Sequence, residues 1–199
     1  MVRPLALLLL AALPCLPALA ASPLCATPEQ AAKVREAYAS PPAAAPFMAA
    51  GKLGVPEGVL LSALDSKSAT GTGGAAFQQV WQSLQAWPDS TSIVVKGGNV
   101  VEIRGRIPPG TPSTKSQYYN LKQEGAGLAG HLRPDLMGAI YAVELAGAEG
   151  SLRGITFVDQ SGESLFGVYL PEGAGDKPEF VAGFEKTREI IKGLPRVCP

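Results

Sequence analysis

The chain has 199 residues, with 17 basic and 17 acidic side chains, and so carries no formal net charge at pH 7. A chain of this length fits one domain, alone or with a short appendage. The balanced charge, without a basic stripe, argues against nucleic acid as a partner.

The first twenty residues, MVRPLALLLLAALPCLPALA, have the pattern of a secretory signal peptide. Arg3 precedes an apolar run, and Ala18, Leu19 and Ala20 form a small-residue cleavage signal. No comparable apolar run follows, which predicts a mature chain without a transmembrane segment. We therefore expect a signal peptide over residues 1–20 and export to the periplasm or the extracellular space.

Two cysteines remain after the predicted cleavage, Cys25 near the new N-terminus and Cys198 next to the last residue. An oxidising compartment favours disulfides, and two cysteines allow only one intramolecular pairing. The sequence therefore predicts a disulfide between Cys25 and Cys198, with two unpaired thiols as the alternative.

Helical signals dominate the first half of the chain. Thr27, Pro28 and Gln30 form a capping box with proline at the first helical position, which predicts a helix start. The Pro/Ala-rich stretch 40–52 is expected to be a linker, so that residues 21–52 form a helix and linker and 53–199 form the main domain. Two further helices are predicted, one in VPEGVLLSALDS and one in AAFQQVWQSLQAW. The second has an apolar face made of Phe77, Val80, Trp81, Leu84 and Trp87.

Strand signals follow from residue 91. TSIVVK and VVEIRGRI flank a glycine-rich turn and predict a hairpin. Further strands are predicted in QYYNLKQ, GLAGHLR, GAIYAVELA, SLRGITFVD and ESLFGVYL. Short polar connections favour antiparallel pairing. A closing helix in KPEFVAGFEKTREIIKGL is expected to bury Phe180, Phe184 and Ile191. The expected class is α+β, with N-terminal helices, an antiparallel sheet and a C-terminal helix.

No stretch matches a familiar catalytic motif, and no residue is assigned a catalytic role. One histidine and two cysteines argue against structural zinc. The glycines at 71–74 follow no predicted strand and are interpreted as a loop rather than a phosphate site. Glu144 and Glu149, near a predicted turn, are expected to be solvated. Whether the protein is an enzyme stays open at this point.

Residues 53–194 resemble the haem-utilisation carrier family of the ChuX/HutX type, itself similar to one half of the larger HemS-type haem-degrading proteins. The matching segments are AFQQVWQSLQAW, VVEIRGRIPPG, YYNLKQEGAGLAGHLRPDLMGAIYAVE and GITFVDQSGESLFGVYLP. The resemblance implies a curved antiparallel sheet with flanking helices, homodimerisation, and haem held in a cleft against the sheet.

The resemblance also implies where iron ligands belong. The family's axial histidine is expected just before the YYNL segment, where this chain has Ser116 and Gln117, and a second is expected near Val95 or Lys96. The chain's single histidine, His131, matches a different family position. We therefore expect His131 to be a buried structural imidazole that is hydrogen-bonded near a strand end, with a direct iron ligand as the alternative.

Two tyrosines follow the position where the family has its histidine. Tyrosinate can bind ferric haem, and Tyr118 is favoured over Tyr119 because it matches the family tyrosine. Adjacent strand residues face opposite sides, so only one ring is expected to face the cleft; the alternative is that both are ordinary strand residues. Basic side chains that could stabilise the phenolate or pair with haem propionates are Lys115, Lys122, Arg104 and Arg106.

Three functions remain open on the sequence. The first is an exported haem-binding or haem-carrier protein without catalysis. The second is a scaffold of the same fold that has lost haem and binds another apolar ligand or a protein partner, which the missing histidines favour. The third is a haem-degrading enzyme. Fold resemblance alone does not choose among them.

Overall fold

The computed structural model describes residues 22–122, 127–148 and 150–198. The predicted signal peptide over residues 1–20 lies outside these ranges, as does Glu149. Within the described ranges no helix has the length and apolar character needed to cross a membrane.

Five α-helices lie in the described residues, and all four predicted helical regions are confirmed. The capping box predicted at Thr27 is present, because its side chain accepts from the backbone of Gln30 and the Gln30 side chain accepts from the backbone of Thr27. The helices are α1 (Pro28–Ala37), α2 (Pro46–Leu53), α3 (Glu57–Ala63), α4 (Phe77–Leu84) and α5 (Pro178–Lys192).

The described strands form two antiparallel sheets. The larger sheet has the order β1-β7-β8-β9-β2-β3, and the smaller has the order β4-β5-β6. Their bounds are β1 (Ala69–Gly73), β2 (Ser90–Lys96), β3 (Asn99–Gly105), β4 (Gly110–Pro112), β5 (Tyr119–Leu121), β6 (Gly130–Leu132), β7 (Met137–Gly147), β8 (Gly150–Asp159) and β9 (Ser164–Tyr169). The α+β class, with antiparallel strands between N-terminal helices and a C-terminal helix, is confirmed.

The six-stranded sheet is covered on both faces, because alternate residues of its strands enter two separate cores. On β7, Ile140 and Ala142 face one core, and Tyr141 and Val143 face the other. The first core contains the predicted apolar face of α4 and, from α5, Phe184 and Ile191, while Phe180 is only partly buried. Side chains of the small sheet also pack against this core.

The second core packs α1, α2 and α3 against the opposite face of the sheet. This corrects the expectation that residues 40–52 form a linker. Pro46, Ala49 and Ala50 of α2 are buried, so that most of the stretch belongs to a packed helix. Small alanine side chains let the helix approach its neighbours closely, which the Pro/Ala composition concealed.

The glycines at 71–74 are a second correction, since residues 69–73 form strand β1 rather than a loop. Gly71 lies against the ring of Tyr141, and a Cβ added at Gly71 would stand 2.3 Å from that ring's Cε1 atom. Gly74 begins a short 3₁₀ helix that leads into α4. Gly71 therefore serves close packing of the edge strand against Tyr141.

A polar cluster lies buried between α3 and the sheet. The Glu57 side chain is 3% exposed. One carboxyl oxygen lies 3.5 Å from the Thr156 hydroxyl, which in turn lies 3.0 Å from the hydroxyl of Tyr169. The other carboxyl oxygen has no hydrogen-bond partner among the described residues. Burial raises the pKa of Glu57 to about 7, against the opposing hydrogen bonds from Ser164 and Thr156.

Cys25 and Cys198 stand next to each other, with Cα atoms 5.7 Å apart and sulfurs 2.12 Å apart. The predicted pairing is thus the one that the fold brings together, and it joins the segment before α1 to the segment after α5. The chain end is also held at β1, where Arg196 bridges Thr72 and the Thr72 hydroxyl donates to the Pro195 carbonyl.

Candidate functional site

The small sheet presents an outer face whose side chains follow the alternation expected of strands. Tyr119, the first residue of β5, turns toward the core, whereas its neighbours Tyr118 and Asn120 turn away from it. His131 of β6 pairs directly with Asn120. Three polar side chains thus meet on one open face: Tyr118, Asn120 and His131.

Two adjoining depressions open on this face and share Ser116 and Tyr118. The first is a cleft of about 440 Å³ between the start of α4 and the small sheet. Its walls are Gly74, Ala75, Phe77, Gln78, Pro112, Ser113, Ser116, Gln117, Tyr118, Tyr119, Pro134 and Asp135. The second is shallower and is lined by Ser116, Tyr118, Asn120 and His131. Tyr118 therefore stands at the junction of the two.

The two tyrosines differ in what their hydroxyls can do. Tyr119 is 3% exposed, its ring packs edge-on against Phe77 at 5.2 Å, and its hydroxyl donates to the Gly110 carbonyl at 2.7 Å. Burial also raises the pKa of Tyr119, which disfavours its phenolate. Tyr118 is 42% exposed. Of the pair, Tyr118 is the phenol available to a ligand.

His131 is exposed, which corrects the expectation of a buried imidazole. The expected hydrogen bond is present, since Nδ1 of His131 lies 2.7 Å from Oδ1 of Asn120. A carboxamide oxygen only accepts, so Nδ1 is the donor in this contact and Nε2 is the ring nitrogen that it leaves unengaged. The imidazole ring meets the Tyr118 ring edge-on, with centroids 5.8 Å apart.

Arg133 is the residue of this face that the sequence interpretation missed. Its guanidinium carbon lies 5.6 Å from the centroid of the Tyr118 ring. Asp135 accepts from two of its nitrogens, at 2.8 and 2.6 Å, and Gln117 accepts at 2.7 Å. The Asp135 carboxylate chiefly, and the Tyr118 phenol to a smaller extent, hold the pKa of Arg133 above its ordinary value. A fixed cation therefore lies over the available phenol.

The cations predicted from the sequence lie elsewhere. Arg104 and Arg106 are exposed at the end of β3, where Arg104 stands 3.9 Å from Glu102. Lys115 is exposed between β4 and β5, one residue before the cleft-lining Ser116, and Lys122 is exposed just after β5. Among the described residues, none of these four side chains lines either depression.

Glu144 is also placed differently from the expectation of a solvated carboxylate. It is half-buried and receives Arg153 at 2.6 Å and Arg188 at 2.5 Å. Arg188 comes from α5, so this carboxylate ties the closing helix to β7 and β8 and does not face the open sheet. The described residues contain no group of three or more His, Cys, Asp or Glu side chains suited to a metal ion.

The sequence profile of the haem-utilisation ChuX/HutX family matches residues 71–187. The chain belongs to this family. The matched range includes both sheets, α4 and most of α5, and therefore the whole open face described above. The resemblance expected from the segments quoted earlier is confirmed.

A curated relative is the intracellular heme transport protein HutX of Vibrio cholerae, 29% identical over 157 residues that cover 76% of this chain and 78% of the relative. Its name places that protein inside the cell. The prediction that this chain is exported to the periplasm or the extracellular space is contradicted by this relative, and the compartment argument for the disulfide is lost with it.

Solved structures share the fold. The heme-binding protein ChuX superposes with a TM-score of 0.67 at 20% identity, covering 82% of this chain and 99% of that one. The heme-degrading enzyme ChuS of Escherichia coli O157:H7 superposes with a TM-score of 0.62 at 15% identity, covering 78% of this chain and 47% of that one. The expected similarity to one half of a larger haem-degrading protein is thus confirmed for the fold.

Proposed function

We propose that this protein binds haem on the outer face of the small sheet and carries it without degrading it, with the Tyr118 oxygen as the axial ligand. The observation that carries the proposal is the exposed Tyr118 phenol at the junction of the two depressions. Family membership and the name of the HutX relative support haem as the ligand class.

The residues present fit such a group in size and in chemistry. A cleft of about 440 Å³ lies within the range of small-molecule and cofactor sites. Ferric haem supplies an iron that accepts an anionic oxygen ligand, and a tyrosine oxygen is a known donor for it. Ser116 and Gln117 occupy the positions of the expected histidine, so Tyr118 is the nearest donor along the chain. Of the four cations predicted from the sequence, Lys115 is the nearest to the cleft-lining Ser116 along the chain, and we propose it as the partner of a propionate.

Titration of the purified protein with ferric haem tests the proposal. We expect saturable binding at one site per chain, a shifted Soret band and the charge-transfer absorption of a tyrosinate complex. Tyr118→Phe removes only the oxygen and should abolish the last two of these features, leaving haem binding weaker but measurable. Tyr119→Phe is the matched control and should retain them, because its hydroxyl is already engaged by Gly110.

Two results would contradict this assignment. The absence of saturable binding in the parent protein would favour a scaffold that has lost haem. Retention of the parent spectrum by both tyrosine variants would place the ligand elsewhere, with His131 the next candidate because its imidazole lies on the same face and its Nε2 is not engaged by Asn120.

Carriage without degradation needs its own measurement, since ChuS shares the fold and is a haem-degrading enzyme. The ferric complex, incubated with a chemical reductant in air, should keep its porphyrin absorption. Loss of that absorption at a rate above that of free haem would show an enzyme.

We also propose that the protein is a homodimer through its sheet-bearing region. Strand β3 forms one edge of the six-stranded sheet, with Val100 50% and Val101 52% exposed. Exposed apolar edges favour pairing with another strand. Light scattering at micromolar concentration should give twice the chain mass, and Val101→Lys should shift it toward the monomer. A monomer mass for the parent protein would contradict the proposal.

A further inference from the structure

Arg133 is fixed in place by more contacts than a solvent-facing arginine requires. Asp135 binds it through both carboxylate oxygens and Gln117 binds it through its amide oxygen, all within 2.8 Å. A bidentate arginine–carboxylate contact fixes the plane of the guanidinium group as well as its position. Here that plane is held beside the Tyr118 ring.

The clamp is built from two chain segments that the small sheet brings together. Gln117 precedes β5, whereas Arg133 and Asp135 follow β6, and β5 and β6 pair with Tyr119 opposite Leu132. The register therefore places residue 133 beside residue 118. Asp135 and Gln117 line the same cleft as Tyr118, which makes the clamp part of the cleft wall.

We infer that Arg133, held by Asp135 and Gln117, is the positioning residue that stabilises the negative charge on the Tyr118 oxygen when that oxygen binds ferric haem. This inference rests on the proposed function and adds to it the source of the positive charge that a phenolate ligand needs. Other groups that face Tyr118 are the imidazole of His131, the amide of Asn120 and the hydroxyl of Ser116. Arg133 is the permanent cation among them, because arginine stays protonated in proteins.

Loss of the Arg133 cation should have a small effect on the affinity for ferric haem and a characteristic effect on the absorption spectrum of the complex. An exposed ion pair between the guanidinium and the phenolate formed on binding contributes up to about 1 kcal/mol, so Arg133→Gln should weaken ferric haem binding by up to about fivefold. A phenolate without its cation is a better electron donor. The phenolate-to-iron charge-transfer band should therefore move to longer wavelength in Arg133→Gln and lie between the two extremes in Arg133→Lys.

A double-mutant cycle separates action through Tyr118 from direct contact with a propionate. If Arg133 acts through the phenolate, Arg133→Gln should weaken binding in the parent protein and have no effect in the Tyr118→Phe background. An equal loss in both backgrounds would overturn the inference and assign Arg133 to a propionate or to the fold. Unchanged affinity and an unchanged band in Arg133→Gln would overturn it as well.

Two controls keep the outcomes distinct. Lys186→Gln on α5 also removes one exposed positive charge and should leave affinity and spectrum unchanged. Thermal unfolding of each variant without haem should stay within about 2 °C of the parent, which reports on the fold alone. If the parent protein shows no haem complex, the proposed function and this inference both fall; if it does and the cycle shows no coupling, only this inference does.

Discussion

The two faces of the molecule use similar side chains in opposite environments. On the outer face of the small sheet, Tyr118 is exposed and lies beside a fixed cation. Under α3, Tyr169 is 3% exposed and its hydroxyl meets Thr156 within the Glu57 cluster. Burial raises the pKa of both Glu57 and Tyr169, so the cluster under α3 favours the neutral forms of these two side chains. The open face instead leaves the Tyr118 phenol exposed beside the Arg133 guanidinium.

This difference separates a binding surface from a structural one. Polar groups that are buried act on the free energy of unfolding, because their charged forms lose water. Polar groups on the open sheet act on a ligand and contribute little to folding. Substitutions in the buried cluster under α3 should therefore change the free energy of unfolding and leave the haem spectrum unchanged. Substitutions on the outer face of the small sheet should change the haem spectrum and leave the free energy of unfolding unchanged.

The largest expected effect concerns the cysteine pair that joins the segments before α1 and after α5. A disulfide across 173 residues stabilises the fold by up to about 5 kcal/mol in the chain-entropy account. Cys198→Ser should lower the free energy of unfolding in denaturant by as much as that and leave any haem spectrum unchanged.

The matched control is the double variant Cys25→Ser/Cys198→Ser, which should be no less stable than the single one. Thiol labelling of the denatured, unreduced parent protein should find no free cysteine. Two reactive thiols per chain would show that the bond is not formed in the protein as isolated.

The next effect is the pH dependence of stability that Glu57 confers. Its pKa is about 7 in the folded protein and 4.5 ordinarily. Between these values the folded protein retains a proton that the unfolded chain has lost, so rising pH destabilises the fold. The stabilisation is fully present below pH 4.5 and falls by about 1.4 kcal/mol per pH unit above it, so that the loss amounts to about 3 kcal/mol by pH 7.

Comparison with Glu57→Gln isolates this contribution from those of other carboxyl groups. Asp176, for example, has its pKa lowered to about 2 by its Ser151 and Arg153 contacts, and it acts in the opposite direction at low pH. Denaturant unfolding from pH 4 to pH 8 should show the parent losing stability relative to Glu57→Gln. If the free energies of unfolding of the parent and of Glu57→Gln change with pH in parallel, ionisation of Glu57 does not destabilise the folded protein.

Local patterns predicted most of the elements but not their contacts. The helical spacing of α4 and the capping box at Thr27 report on their own segments, and both predictions are confirmed. Strand β1 was missed because its residues, ATGTG, lack the bulky side chains of a strand. Gly71 is small because the ring of Tyr141 packs on it, and that contact comes from 70 positions further along the chain.

In the candidate site, too, the sequence predicted only what adjacent residues determine. Strand alternation, which depends on neighbours along the chain, predicted that only one of Tyr118 and Tyr119 is available. Arg133 was missed because it lies after β6, ahead of Pro134, and meets Tyr118 only through the register of β5 and β6. Exposure of His131 was missed for a related reason, because β6 has only three residues and too short a pattern to indicate its buried side.

A smaller effect distinguishes the two tyrosines in stability. Tyr119→Phe leaves the Gly110 carbonyl without its side-chain donor and should cost about 1 kcal/mol of unfolding free energy. Tyr118→Phe, at the exposed residue just before the same strand, should cost less than about 0.5 kcal/mol. Equal losses in denaturant unfolding would show that both rings contribute to the core and would remove the distinction between the faces at this strand.

The smallest effect is expected at His131. Its imidazole is exposed and makes one hydrogen bond with Asn120 among the described residues, so His131→Ala should cost no more than about 0.5 kcal/mol. Asn120→Ala breaks the same hydrogen bond from the other side and should cost as little. Because Tyr118 is the proposed ligand, neither variant should shift the Soret band of the ferric complex. A shift in His131→Ala that is absent from Asn120→Ala would identify Nε2 as an iron ligand, because only the first substitution removes that nitrogen from the open face.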